Sequence, residues 1–162
     1  INSLPVSKLS LPSDFIAPEQ FDCTDFFFTI LEPSMTEIDY KVVMASKERL
    51  RHIFFENDIW PHDDMTLTDN TNDLIRHENE FYEKKAFAYS VYTENKNNYI
   101  GCVYINPTLK QNFDCEVYLW VGNDEIDQDE LLYESTKKWL AKDWPFKNVA
   151  YPGREISWQD WQ

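Results

Sequence analysis

Positive charge is scarce in this 162-residue sequence. Lys and Arg number 15 against 29 Asp and Glu, a net charge of −14. Nucleic acid requires a basic face to displace its counterions, so general nucleic-acid binding is excluded. Docking on anionic membranes is disfavoured on the same ground. Cysteine is also sparse: Cys23, Cys102 and Cys115 are odd in number and show no CxxC spacing. That argues against a disulfide scaffold and a structural zinc site, and suits three thiols in a reducing cytoplasm. No apolar run approaches the ~18 residues that span a bilayer. The N-terminal Ile1–Pro18 stretch lacks an apolar segment behind basic residues, so no secretory signal is read there.

Apolar residues make up 43% and aromatics 16%, enough for a substantial core. A chain of this length reads as one domain, 1–162, burying roughly 68–70% of its unfolded surface. Residues 1–25 form an extended arm with Pro5, Pro12 and Pro18. Residues 26–151 form the core, and 152–162 an aromatic tail.

The chain is organised around Phe113–Leu140. Phe113–Gly122 alternates polar and apolar residues and reads as a strand, and Asn123–Leu140 has apolar residues at helical spacing. Before it, Phe26–Leu31 reads as a buried strand ended by Pro33. Met35–Phe55 reads as a helix that Thr36 could cap, and Asn70–Lys85 as a second helix. Ala86–Thr93 and Tyr99–Ile105 read as a hairpin around Glu94–Asn98, and Asn148–Tyr151 as a last short strand. The order is β-α-α-β-β-β-α-β. The fold class is α/β (α+β), a mixed, mostly antiparallel sheet flanked by helices.

Two stretches carry a family resemblance. Asn98-Tyr99-Ile100-Gly101-Cys102-Val103-Tyr104-Ile105 resembles the third strand of the GNAT N-acetyltransferase superfamily. Glu116-Val117-Tyr118-Leu119-Trp120-Val121 resembles its fourth strand. With the element order, the resemblance covers about Phe26–Tyr151. It implies N-acyl transfer from acetyl-CoA to an amine, the pantetheine arm pairing with backbone where the fourth and fifth strands splay. A parallel pairing of those strands, splayed at Tyr118–Val121, is its structural signature. On this resemblance Trp120, Val121, Gly122 and Asn123 are the cofactor-binding positions, and Trp60, His62 and Tyr118 shape the acceptor pocket.

The sequence departs from the family at the loop after the fourth strand, where the Q/R-x-x-G-x-G/A pattern is absent. From Phe113 to Thr136 there are eight acids and no Lys or Arg. A pyrophosphate there meets like charge and loses the close approach glycine permits. Asp127 and Glu130 fit a capping arrangement that could satisfy the same donors. After Tyr151 eleven residues remain, fewer than the family's final helix and two strands need.

Glu116 is the candidate general base, sharing a strand face with Asp114, Tyr118 and Trp120. Its bland alternative is a sheet-edge charge facing water or pairing with Lys110. Tyr151 is the candidate general acid, with Tyr133 behind it, and the packing-aromatic reading is the favoured one for either. His62-Asp63-Asp64 has no further ligand spaced to complete a metal site. Two functions stay open: acetyl transfer to an amine (small-molecule or protein, cationic given the acidic surface), and a non-catalytic domain using the cleft for a partner. Monomer and homodimer are both compatible with the sequence.

Overall fold

The computed structural model describes residues 6–93 and 95–162. Residues 1–5, where the arm begins, and Glu94 of the expected hairpin loop lie outside the described residues. Six strands form one sheet in the order β1-β2-β3-β4-β5-β6. They are β1 (Gln20–Asp22), β2 (Phe27–Ile30), β3 (Phe87–Thr93), β4 (Asn98–Asn106), β5 (Cys115–Val121) and β6 (Val149–Ala150). All neighbours pair antiparallel except β5 and β6, which run parallel with Cys115 opposite Val149 and Glu116 opposite Ala150. Beyond Ala150 that pairing stops, and among the described residues no strand pairs with the β6 side of β5 from Val117 onward.

Both faces of the sheet are covered, so β3, β4 and β5 read as nearly continuous apolar runs. One face packs on helix α4 (Asp129–Asp143) and on the arm. There Phe28, Tyr89, Val103, Leu119 and Trp139 are buried, and Phe21 stacks on Trp139 at 4.6 Å between ring centres. That stack explains β1, which the arm reading missed: Phe21 pairs with Phe28 across the ladder while its ring covers Trp139. The other face packs on α1 (Thr36–Ala45), α2 (Lys47–Leu50) and α3 (Leu67–Tyr82), burying Leu31, Val43, Leu50, Leu74, Tyr104 and Trp120.

The expected helix over Met35–Phe55 is interrupted at Ser46. Its hydroxyl accepts the Asn123 N–H at 3.0 Å, so the loop after β5 docks where the helix would have continued. Thr36 is inside α1, not its cap, and shares a hydrogen bond with Thr71. Helix α3 starts earlier than expected because Thr66 and Asp69 form a reciprocal capping box. Residues Asn123–Gln128 form a 3-10 turn, and α4 begins at Asp129 without a side-chain cap. The Asp127–Glu130 capping arrangement does not form. The aromatics toward the C-terminal end of the sequence pack at separate places. Trp144 stacks on Phe146, Trp158 packs against Gly153, and Trp161 tilts against Phe113, followed in the chain only by Gln162 after the short helix α5 (Trp158–Trp161). Among the described residues no helix is long and apolar enough to cross a membrane.

Candidate active site

Alternation along β5 sorts its side chains between the two layers. Val117, Leu119 and Val121 enter the α4 layer, while Tyr118 and Trp120 enter the α1–α3 layer. Glu116 shares the second direction, where a cavity of about 530 Å³ opens between the sheet and the α2–α3 region. Phe54, Trp60, Tyr104 and Tyr118 give it aromatic walls. Phe54 lies edge-on to Tyr104 at 5.0 Å and to Trp60 at 5.6 Å. Aromatic faces with carboxylates between them suit a cation, which gains both quadrupole and Coulomb attraction.

The carboxylates are Asp58, Asp73, Glu80 and Glu116. The cations among the lining residues reduce to Arg76, paired with Glu80 at 2.9 Å and with Asp73 at 4.0 Å. His77 also lines the cavity, but burial and then the Arg76 charge push its pKa down to about 3, so it is neutral at pH 7. Burial pushes the Asp73 carboxyl above its ordinary value. The Tyr118 hydroxyl donates to Glu116 Oε1 at 2.6 Å, and burial with that bond raises the Tyr118 pKa well above its ordinary value. Tyr118 therefore stays protonated, and its bond fixes one carboxylate oxygen of Glu116. In place of the alternative pairing with Lys110, Glu116 is bonded by this tyrosine.

Tyr118 also borders a second, smaller cavity of about 150 Å³, with Leu119, Pro152, Gly153, Arg154 and Trp158. This is the gap left where β6 ends. The unpaired backbone of β5 offers its Leu119 carbonyl here and its Val121 carbonyl farther along the same edge, outside this cavity's lining, and both are met by arginines. Arg154 donates from Nη2 to Leu119 O at 3.3 Å while forming a two-pronged pair with Asp129 at 2.8 and 2.9 Å. Arg49 donates from Nη1 to Val121 O at 3.1 Å and to Asn123 Oδ1 at 2.7 Å. The gap thus has a strand edge for an amide-bearing chain and the Arg154 guanidinium for a phosphate, with the Arg49 guanidinium farther along that edge. Those are the cations the acidic loop lacks, and they come from α2 and from the segment after β6. In residue types the cleft fits a CoA-type thioester, with both arginines turned onto the edge it would use.

The sequence-derived residues divide accordingly. Trp60, Tyr118 and Glu116 come together in the larger cavity. His62 does not: it is exposed on a loop beside Asp63, which Arg51 and Lys47 hold. Tyr151 follows Ala150, the partner of Glu116, and so points to the opposite face, where it is buried edge-on to Tyr133 at 5.4 Å. Sheet alternation separates it from the base it was expected to serve. Trp120 is wholly buried, its indole N–H donating to the Tyr104 hydroxyl at 2.8 Å, so its side chain is core and not a cleft wall. Val121 contributes only its carbonyl. Gly122 donates its N–H to Ile100 O, and Asn123 uses its N–H on Ser46 and its side-chain amide on Ala45 O. The donors expected to cradle a phosphate are thus satisfied within the chain. Cys102 and Cys115, on neighbouring strands, face opposite layers. Sequence reasoning missed Arg49 and Arg154, and no sequence signal marks them, since Lys110 and Lys137 lie nearer the acidic stretch.

No family model matches this chain, and neither does any curated protein. Solved structures do. A ribosomal-protein-alanine acetyltransferase from Vibrio fischeri aligns with a TM-score of 0.62 at 16% identity, over 84% of this chain and 75% of that one. The fold is that of the GNAT acetyltransferases. A microcin self-immunity acetyltransferase, solved in complex with acetyl-CoA and AMP, gives 0.62 at 12% identity over 78% and 67% of the two chains. A ribosomal alpha-N-protein acetyltransferase in complex with coenzyme A gives 0.59 at 13% over 75% and 67%. At such identities the likeness is one of architecture. Of the signature expected from the sequence, the parallel β5–β6 pairing is present, and it ends at Glu116 and Ala150, before the expected splay at Tyr118–Val121.

Proposed function

We propose that this chain transfers an acetyl group from acetyl-CoA to a cationic amine held in the larger cavity. The observation that carries the reading is the Glu116–Tyr118 pair, lying where the acidic aromatic cavity meets the gap at the β5 edge. Acetyl-CoA, when bound, supplies the thioester that an amine can attack. The chain's own residues do the rest. Asp58, Asp73 and Glu80 draw an ammonium group in, and the aromatic walls exclude water around it. Glu116 accepts the ammonium proton on the carboxylate oxygen that Tyr118 leaves free, giving the neutral nucleophile. Tyr118, protonated and bordering both cavities, takes the acid role first assigned to Tyr151.

A second reading keeps the amine pocket and drops the chemistry. Its support is the Arg154–Asp129 pair, which occupies the strand edge a cosubstrate would use. An acetyl-transfer assay with spermidine as probe amine, alongside calorimetric titration with acetyl-CoA, separates the two. Transfer that falls about 10²-fold or more in Glu116→Gln supports the enzyme. Spermidine binding with no heat from millimolar acetyl-CoA rejects it and leaves the binding module.

A further inference from the structure

Two polar side chains on the wall of the larger cavity have no task in the mechanism above. They are Asn106, at the end of β4, and His77, on α3, and they line the cavity together with Glu116. Asn106 and Glu116 are directly opposed across the β4–β5 ladder, as are Tyr104 and Tyr118 two residues along each strand. Opposed side chains of an antiparallel pair share a face, with their Cβ atoms about 5 Å apart. His77 packs against the next rung on that face, its ring 5.5 Å from that of Tyr104. Asn106, Glu116 and His77 thus sit at the corners of a triangle, contributed by β4, β5 and α3.

Each corner holds a free acceptor. Among the described residues neither the Asn106 amide nor the His77 ring makes a side-chain hydrogen bond within the fold. The Glu80 carboxylate lies 3.9 Å from His77 Nδ1, beyond hydrogen-bonding distance. His77 is neutral, so one ring nitrogen carries a proton and the other accepts. The Glu80 charge favours that proton on Nδ1, leaving Nε2 as the acceptor. Tyr118 binds only Oε1 of Glu116, and Oε2 remains. Arg76 does not compete for these atoms, since its guanidinium is paired with Glu80 and Asp73.

We propose that Asn106 and His77 position the acceptor, completing with Glu116 a three-point cradle for a primary ammonium group. An ammonium carries three N–H donors, and the cradle offers three acceptors: Glu116 Oε2, Asn106 Oδ1 and His77 Nε2. The aromatic walls attract any cation, methylated or not. Only the cradle distinguishes N–H from N–CH3, because each methyl leaves one acceptor facing an apolar group. Two of the bonds also outlast proton transfer. When Glu116 takes its proton, Asn106 and His77 keep the other two hydrogens from the β4 and α3 sides. The freed electron pair then faces β5, the strand whose far edge borders the gap. The inference rests on the reading that this cavity holds an amine.

The test compares 1,4-diaminobutane with its hexa-N-methyl analogue, which carries the same charge, by calorimetric titration at low salt. Wild type should bind the primary diamine about 10²-fold more tightly. With matched thermal melts, Asn106→Leu and His77→Leu should each cut that preference about tenfold, by weakening the diamine while affinity for the methylated analogue stays within about two-fold. Asn106→Asp, which keeps an acceptor, should hold the preference. Should Asn106→Leu not fold, Asn106→Ala gives the same readout. Equal affinity of wild type for the two ligands overturns the cradle, as does an unchanged preference in the two leucine variants. Parallel weakening of both ligands marks a structural role and overturns it too, and so does the absence of heat from either. An acetyl-transfer assay on 1,4-diaminobutane keeps this distinct from failure of the enzyme reading. The preference without transfer from acetyl-CoA upholds the cradle and rejects the enzyme; transfer without the preference rejects the cradle and keeps the enzyme.

Discussion

At the scale of single residues, the side chains around the larger cavity differ in what they ask of the solvent. His77 is neutral in the folded chain, its pKa depressed from 6.5 to about 3, whereas the unfolded chain protonates it near 6.5. Below that value unfolding therefore takes up a proton, and the stability His77 contributes is present above pH 6.5 and lost as pH falls toward 3. The slope is at most about 1.4 kcal/mol per pH unit. Urea midpoints for His77→Gln should fall less steeply than wild type between pH 6.5 and 4; an unchanged acid limb would place the effect elsewhere. Glycines give a second contrast. A Cβ on Gly101 would lie 1.9 Å from the Trp120 carbonyl, which is backbone and cannot move aside. A Cβ on Gly122 would meet only the tip of Val42 at 2.8 Å. Gly101→Ala should cost several kcal/mol or abolish soluble expression, while Gly122→Ala costs about 1–3 kcal/mol as overpacking does. Equal melting temperatures would contradict this. The residue scale was only partly legible in sequence. That Glu116 and Tyr118 share a face was legible because strand alternation is a local property, and the structure adds Trp60 to the same cavity. Tyr151 misled because its face depends on register with Glu116, which no local pattern encodes.

Among the elements, β5 and its neighbours hold the functional question. The strand and the helix after it were readable from period-2 and 3.6 patterns, and so was the hairpin before them. The break at Ser46 was not, because it is imposed by the Asn123 loop docking from 77 positions away. The same limit hid Arg154, whose partners Asp129 and Leu119 are 25 and 35 residues distant. Arg154 is 23% exposed and Asp129 29%, so their pair is partly shielded from solvent. Arg154→Met empties the guanidinium from the β5 edge but also removes a cation from the gap. If Arg154 chiefly blocks the edge, the variant should bind desulfo-CoA more tightly than wild type in a calorimetric titration. If it chiefly supplies charge to the diphosphate, binding should weaken by about tenfold or more, as loss of a charge-assisted bond implies. No change in affinity would remove Arg154 from the cleft's function altogether.

Over the whole molecule, the net charge of −14 acts on every ligand at once. Long-range attraction of a cationic amine is screened beyond about 10 Å at 0.1 M salt. Spermidine affinity should therefore drop steeply between low salt and 0.5 M, whereas a neutral amine of similar size should respond little; equal salt slopes would argue against the acidic cavity as its site. The overall architecture was legible because eight elements in the order β-α-α-β-β-β-α-β leave few ways to cover both faces of one sheet. What completed it, the pairing of β1 through Phe21 and the folding of Trp158 over Gly153, depends on contacts between distant side chains. The splay between β5 and β6 has one further consequence, for colloidal behaviour. An interrupted strand with free carbonyls is a template on which a neighbouring molecule can add its own strand. Arg49 and Arg154 cover those carbonyls with positive groups on a chain that is otherwise strongly negative. The same two side chains that border the cleft thus occupy two of the carbonyls on which a second copy of the protein could add a strand.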